Sequence, residues 1–304
     1  MEKIEYRGWP NCYLLKNGVL ELVLTADVGP RIIRFGFVGM DNEFKEYPET
    51  VGQVGGDEWH SYGGHRLWHA PEAQPRSYCP DNSSVIVEPC NDSLRVIQSP
   101  EAATGIQKEM EICVHPQRAS VRITHRLRNT GLWPVELAPW ALTVMAQGGK
   151  AILPLPPRGE HPTALLPTSL LGLWAYTDMK DQRWTWGTKY VMLRQDPQAT
   201  TPQKVGAMAP DGWGAYARAG HLFVKQALCG PDARYPDFGC NVEVFTNAEM
   251  LELETLGPIT LVQPGSSVEH VERWFLFDEV PVPDNDRDVD QFMLWVTKEL
   301  RRSE

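Results

Sequence analysis

Residues 241–277 read NVEVFTNAEMLELETLGPITLVQPGSSVEHVERWFLF. Four runs in this stretch, Asn241–Thr246, Met250–Thr255, Ile259–Val262 and Val268–Phe277, are rich in Val, Leu, Phe and Thr. Gly257, Pro258, Pro264 and Gly265 fall in the gaps between them. Short β-favouring runs separated by turn residues predict consecutive antiparallel strands rather than helices. Successive side chains of a strand point to opposite faces, so Glu252 and Glu254 share one face while Leu251 and Leu253 share the other. Glu243 lies on the preceding strand. The acidic face is either a solvated outer surface or a carboxylate row lining a concave sheet, where partial burial raises a carboxyl towards the range of a useful general base.

The same pattern extends towards the N-terminus. Glycine and proline number 25 each and fall between short segments rather than in one linker. Val19–Thr25, Arg31–Val38, Val85–Glu88, Leu94–Gln98, Ile106–Val114, Ser120–Arg128, Trp213–Ala219 and His221–Ala227 all read as strands, giving about fifteen candidates in total. One stretch reads as helix, about 286–302. There Val289, Phe292, Met293, Val296 and Leu300 recur at helical spacing, with Asp286 or Asp288 available as N-cap. Arg301 and Arg302 would sit at the negative end of its dipole. Residues 51–82 and 153–183 read as long loops rich in Gly, Trp, His and Pro. Long ordered loops in a compact domain are usually functional. The expectation is an all-β sandwich forming a single domain over 1–304, with one C-terminal helix covering a flank.

Composition narrows the partners. A net charge of −10 with scattered Lys and Arg argues against nucleic acid, whose phosphates draw on clustered cations. No stretch approaches the ~20 apolar residues of a membrane helix, and the first twenty residues hold no uninterrupted apolar run of the signal-peptide kind. The six cysteines are far apart and form no CxxC pair, so they read as reduced thiols. A cytoplasmic protein is expected.

The densest chemical cluster is DEWHSYGGHRLWHAPE, residues 57–72, with three His, one Arg, three acids and two Trp. One reading is a metal site from His60, His65 and His69, since imidazole is the commonest zinc ligand; the spacing fits no established zinc signature. Another is a sugar pocket, in which Arg66 and the histidines meet hydroxyls while Trp59 or Trp68 offers a ring face. A third is a loop held by its own side-chain hydrogen bonds. The chain has 11 tryptophans, several in loop-like regions, including Trp174, Trp184 and Trp186. Ring faces combined with a few placed polar groups are the usual make-up of small-molecule sites. His125 alternates with Val121, Ile123 and Leu127, the pattern of a hydrogen-bonded core histidine. Lys225, Asp178, Asp181, Arg183 and Asp237 remain unranked substrate-contact candidates.

The segments GGHRLWHAPE (63–72), THRLRNTGLWPVELAPWALTVMAQGG (124–149), GWGAYARAGHLFVK (212–225) and residues 243–274 resemble a family of proteins related to the aldose 1-epimerases. The resemblance covers most of the chain and implies the galactose mutarotase-like supersandwich, large antiparallel sheets packed face to face with a sugar site on a concave surface. It also implies general acid–base opening of a pyranose ring. The family's base is a Glu on a late strand followed by a Pro-Gly turn, which falls on Glu254, with Glu252 as its nearest rival. The family's acid is a His, and Trp140 stands where it is expected; indole is no proton donor for catalysis. His65 is then the candidate acid, with His69 and His125 as alternatives. The implied substrate-binding set is Arg66, Trp68, His69, His125, Trp140, Glu243 and Glu252, with a small carbohydrate as partner and neither cofactor nor metal. Two other functions compete: a non-catalytic sugar-binding protein, and a lyase-like polysaccharide-processing domain.

Overall fold

Alternating apolar and polar side chains, interrupted by turn residues, pair into antiparallel strands throughout the chain. The structure, a computed structural model, describes residues 1–230 and 232–302. In chain order come β1 (Glu2–Tyr6), β2 (Trp9–Lys16), β3 (Leu20–Thr25), β4 (Arg31–Phe37) and β5 (Gly64–Ala70). Next are β6 (Ile86–Cys90), β7 (Ser93–Ile97), β8 (Ile106–Val114), β9 (Ser120–Asn129) and β10 (Val135–Met145). They are followed by β11 (Lys150–Pro154), β12 (Leu171–Leu173), β13 (Trp184–Trp186), β14 (Tyr190–Arg194) and β15 (Gln203–Ala207). The series ends with β16 (Trp213–Arg218), β17 (His221–Gln226), β18 (Val242–Thr246), β19 (Leu251–Leu256), β20 (Thr260–Val262), β21 (Ser267–Phe277) and the helix α1 (Asp286–Arg302).

These strands form two sheets. The larger runs β1-β2-β3-β4-β5-β10-β19-β18-β15-β12, with β20 added on β10. The second runs β13-β14-β11-β16-β17-β21-β9-β8-β7-β6. The core lies between them, where Leu22, Phe35 and Leu253 of the larger sheet meet Met110, Phe223 and Trp274 of the second. Phe35 and Phe44 both stand edge-on to Trp274 with centroids 5.5 Å apart. Each fully buried side chain of this size contributes about 1.5–3 kcal/mol by leaving water.

Two expectations change here. Residues 51–82 are not loop throughout, because β5 lies inside them. All seven of its residues are buried; a strand covered on both faces shows no polar alternation to read. The helix is where its periodicity places it, and Val289, Phe292, Met293, Val296 and Leu300 pack against Ile152, Met192, Val224 and Phe275 on the outer face of the second sheet. Its cap is neither Asp286 nor Asp288. The Asn285 side-chain oxygen accepts from the backbone N–H groups of Arg287 and Asp288 at 3.0 and 3.2 Å. Asp286 turns instead to the backbone of Thr188 and Lys189, and Asp288 accepts from the N–H of Asp284. Arg301 ends the described side chains of the helix, and that of Arg302 lies outside them.

Candidate functional site

Strand register sorts the chemistry of the larger sheet onto two faces. On the outer face, Arg66 (β5), Leu142 (β10), Glu254 (β19), Glu243 (β18) and Gly206 (β15) are successive cross-strand partners in one row. Beside it runs Gly64, Val144, Glu252, Phe245 and Lys204. Trp68 and Trp140 pair one step further along, opposite Leu256. Gly206 is needed at its place: a Cβ there would stand 2.7 Å from the Cys240 sulfur and 3.0 Å from Cγ of Glu243. The missing side chain lets Glu243 lie flat against β15.

Over this face opens a pocket of about 400 Å³ walled by Trp59, Trp68, Trp140, Trp174, Tyr78 and Tyr176, with Arg66, Lys204 and Glu252 among its polar wall groups. The rings brace one another edge to face, Trp68 at 5.4 Å from Trp140 and 5.3 Å from Trp59. The Arg66 guanidinium lies 4.5 Å from the centroid of Trp68 and 5.4 Å from that of Trp59. Its Nη2 stands 2.8 Å from Oε1 of Glu252. Nε and Nη1 of Arg66 are buried yet meet no hydrogen-bond partner among the described residues. Buried polar groups are nearly always satisfied, so such a cluster at a pocket calls for an explanation. A bound hydroxyl-bearing molecule supplies one.

Behind the wall stand two carboxylates and one ammonium. Glu243 and Glu254 are direct cross-strand neighbours, both fully buried. Lys204 Nζ lies 2.9 Å from an oxygen of each, and is itself set between the rings of Trp140 and Trp174 at 4.8 and 4.6 Å. Glu254 Oε2 also accepts from the indole N–H of Trp140 at 2.7 Å. Burial pushes the Glu243 carboxyl well above its ordinary range, with Lys204 pulling it back only in part. Glu254 is raised for the same reason, opposed by Lys204 and the Trp140 hydrogen bond. Burial works against the Lys204 charge, but the paired carboxylates hold its pKa well above the usual lysine range.

The inner face carries a separate network. His65 pairs in register with Thr143, which pairs with Leu253. His65 therefore points between the sheets while Glu254, the next residue along, points out. There His65 Nε2 meets His125 Nε2 at 2.8 Å, and His125 Nδ1–H donates to the carbonyl of His270 at 3.0 Å. That fixes the protons: His65 Nε2–H donates to His125, and its Nδ1 accepts from the Thr143 hydroxyl at 2.9 Å. Glu272 accepts from the Trp274 indole N–H at 2.8 Å and pairs with Lys225 at 2.8 Å. Burial first, then Lys225 nearby, drives the pKa of His65 and His125 below the ordinary imidazole range. Donor atoms of His65, His125 and Glu272 lie within 4.8 Å of one another, the grouping a metal could use. The hydrogen bonds and the Lys225 charge already account for all three.

Searches of family models and of curated proteins found no match. Solved structures do match. The Slr1438 protein from Synechocystis sp. PCC 6803 superposes with a TM-score of 0.59 at 12% identity, over 92% of this chain and 100% of that one. A galactose mutarotase-like protein from Lactobacillus casei superposes with a TM-score of 0.55 at 9% identity, over 88% of this chain and 100% of that one. The chain has the galactose mutarotase-like fold. No helix among the described residues is long and apolar enough to cross a membrane.

In this mutarotase-like sandwich the expected site residues separate. Arg66, Trp68, Trp140 and Glu252 come together at the pocket wall. Glu243 and Glu254 stand directly behind it. His65, His69 and His125 are corrected: strand alternation turns all three away from the pocket into the interior. The His65–Glu254 acid–base pair is therefore not assembled. His69 pairs with Glu101, which also holds Lys108 at 2.5 Å. The His60, His65 and His69 trio does not converge either, since the His60 ring sits against Tyr62. Lys225 is buried in the inner network. Asp181 and Arg183 pair with each other at 2.8 Å, and the Asp178 N–H donates to the Gln203 side chain at 2.8 Å. Tyr78, Tyr176 and Lys204 of the wall are absent from the expected set, and of these Lys204 is the one that meets the carboxylates. It sits in the plain run Pro-Gln-Lys-Val-Gly-Ala, where no motif marks it. Only the pairing of β15 with β18 brings it to the carboxylates.

Proposed function

We propose that this protein binds a neutral pyranose in the ring-walled pocket and exchanges its anomers. The observation that carries this reading is the meeting of indole faces with a buried guanidinium that has two N–H groups to spare beside a wall carboxylate. The C–H face of a pyranose packs on an aromatic ring, while its hydroxyls donate to carboxylate oxygens and accept from N–H groups. Glu252, at the wall, takes the role of base towards the anomeric hydroxyl; Glu254 stands behind Lys204. Neutral sugars are favoured because each cation of the wall is already committed, Arg66 to Glu252 and Lys204 to Glu243 and Glu254. A uronate or phosphate would have to compete with those carboxylates, which counts against the lyase-like alternative.

A non-catalytic binder is the second reading, supported by the inward turn of His65 and the Trp140 indole in place of a proton donor. Saturation-transfer NMR and calorimetry with D-glucose, D-galactose, D-mannose, D-glucuronate and glucose 6-phosphate test the proposal. Binding of one or more neutral pyranoses, weaker binding of the acidic ones, and loss of binding in Trp140→Ala are expected. Failure of every neutral sugar to bind overturns it. Binding without accelerated anomer exchange leaves the second reading.

A further inference from the structure

Buried carboxylates directly opposite each other on adjacent strands repel, and such pairs are normally destabilising. Glu243 and Glu254 occupy that relationship with no measurable exposure. One ammonium stands within 2.9 Å of both. A single positive charge offsets one carboxylate, and the second is neutralised by a proton, as in other carboxylate pairs forced together. The donors decide where that proton resides. Glu254 Oε2 receives hydrogen bonds from both Trp140 and Lys204, which favours its ionised form. Glu243 has the ammonium nearby, but neither of its oxygens makes a well-formed hydrogen bond among the described residues. Glu243 keeps the proton.

We propose that Glu243, paired with Glu254, is the proton source of the pocket and that Lys204 delivers the proton to the ring oxygen of a bound sugar. This rests on the anomer-exchange reading above and names the acid that reading lacks. Lys204 is the member of the trio at the pocket wall, between Trp140 and Trp174. Glu252, Phe245 and Lys204 are successive partners on three neighbouring strands, so Glu252 and Lys204 stand two strand spacings apart, about 10 Å between backbones. A pyranose fits that span, with its anomeric hydroxyl and ring oxygen on one carbon.

The step balances as follows. Glu252 takes the anomeric O–H proton, the C1–O pair becomes a carbonyl, and the bond from C1 to the ring oxygen breaks. The ring oxygen takes a proton from Lys204, and Lys204 takes the Glu243 proton, remaining an ammonium. After rotation about the C1–C2 bond every transfer reverses and the ring recloses on the other face. Burial raises both carboxyls above their ordinary range, the direction a proton donor needs.

The test is anomer exchange of D-glucose and D-galactose, read by exchange NMR on the full chain beside calorimetric affinity for the same sugars. The unaltered protein should accelerate exchange, with a rate that falls as rising pH strips the shared proton. Glu243→Gln should lower the acceleration by about 10²–10⁴-fold and abolish that alkaline fall while leaving affinity little changed. A Glu243→Gln protein with the parental rate and pH profile overturns the inference and leaves the sugar reading intact. Sugar bound by the unaltered protein without acceleration overturns it as well. Absence of any sugar binding sinks both. Should Glu243→Gln not fold, ¹³C-glutamate NMR of the unaltered protein decides: one carboxyl must titrate far above the ordinary range, and titration of all within that range overturns the proposal.

Discussion

Trp140 on β10 donates its indole N–H to Glu254 on β19 at 2.7 Å. The bond ties the pocket wall to the carboxylates behind it. At the position where the resemblance to the aldose 1-epimerases implies a histidine acid, this chain has an indole, which only donates a hydrogen bond, and it donates to the Glu254 carboxylate. The indole thus holds Glu254 in place and favours its charge, while presenting its ring to Lys204 and to Trp68.

Trp140→Phe separates these roles. Phenylalanine keeps an aromatic face but removes the donor, so the Glu254 carboxyl loses one of two groups stabilising its ionised form and rises further. A hydrogen bond to a charged group contributes about 1.5–3 kcal/mol. Urea denaturation should show a loss in that range with the slope unchanged, and sugar affinity should survive better than in Trp140→Ala.

Arg66 is stacked on Trp68 and ion-paired to Glu252, both through a planar guanidinium. Lysine reproduces the charge without the plane or the fork. Arg66→Lys should therefore fold yet bind sugar about tenfold more weakly, the equivalent of one charged hydrogen bond. Arg66→Met leaves the Glu252 carboxylate buried without its cation and should cost about 3–5 kcal/mol. Calorimetry reads the first and chemical denaturation the second.

Much of this was legible in the sequence because alternation is a local signal. The strands 106–114 and 120–128 could be read to within a residue, and β18 to β21 followed from their apolar runs and the Gly and Pro between them. β5 and β10 were not, since burial on both faces erases the polar half of the pattern. For the site, the presence of Arg66, Trp68, Trp140 and Glu252 was readable but the facing of His65 was not. His65 and Arg66 are neighbours in sequence and point to opposite sides of one strand; with the strand itself unread, both looked available. Lys204 depended wholly on which strand lies beside β18, which no local pattern states.

The helix offers a test of packing apart from the pocket. Phe292 is nearly buried against the second sheet, and Phe292→Ala should cost about 3–5 kcal/mol in transfer and cavity terms. Asn285→Ala removes the acceptor for two backbone N–H groups and should cost about 1 kcal/mol. Neither change touches the larger sheet, so sugar affinity should be unaltered at temperatures where the protein stays folded. Thermal unfolding and calorimetry on the same samples check both statements.

The inner network makes the fold sensitive to acid. His65, His125 and His270 are buried, and burial, opposed by Glu272, holds all three below their ordinary value, His270 at about 3 against 6.5. Between those limits the unfolded chain binds protons that the folded chain refuses, so stability is present above pH 6.5 and is lost as pH falls towards 3. Glu272 acts in the same direction. Burial opposes its charge, but Lys225 and the three imidazoles hold its pKa well below the carboxylate range. Its stabilising contribution likewise fades as the solution becomes more acid than the ordinary glutamate value of 4.5. Urea midpoints measured from pH 8 downward should therefore fall steeply below about 6.5. His270→Gln keeps a side-chain donor for Thr255, which His270 Nε2 meets at 2.8 Å, and removes one of the titrating rings, so its midpoints should fall less steeply over the same range. A variant with the parental slope would show that His270 is as easily protonated folded as unfolded. Glu272→Gln strands the Lys225 ammonium in the core and should destabilise the protein by about 3–5 kcal/mol at neutral pH.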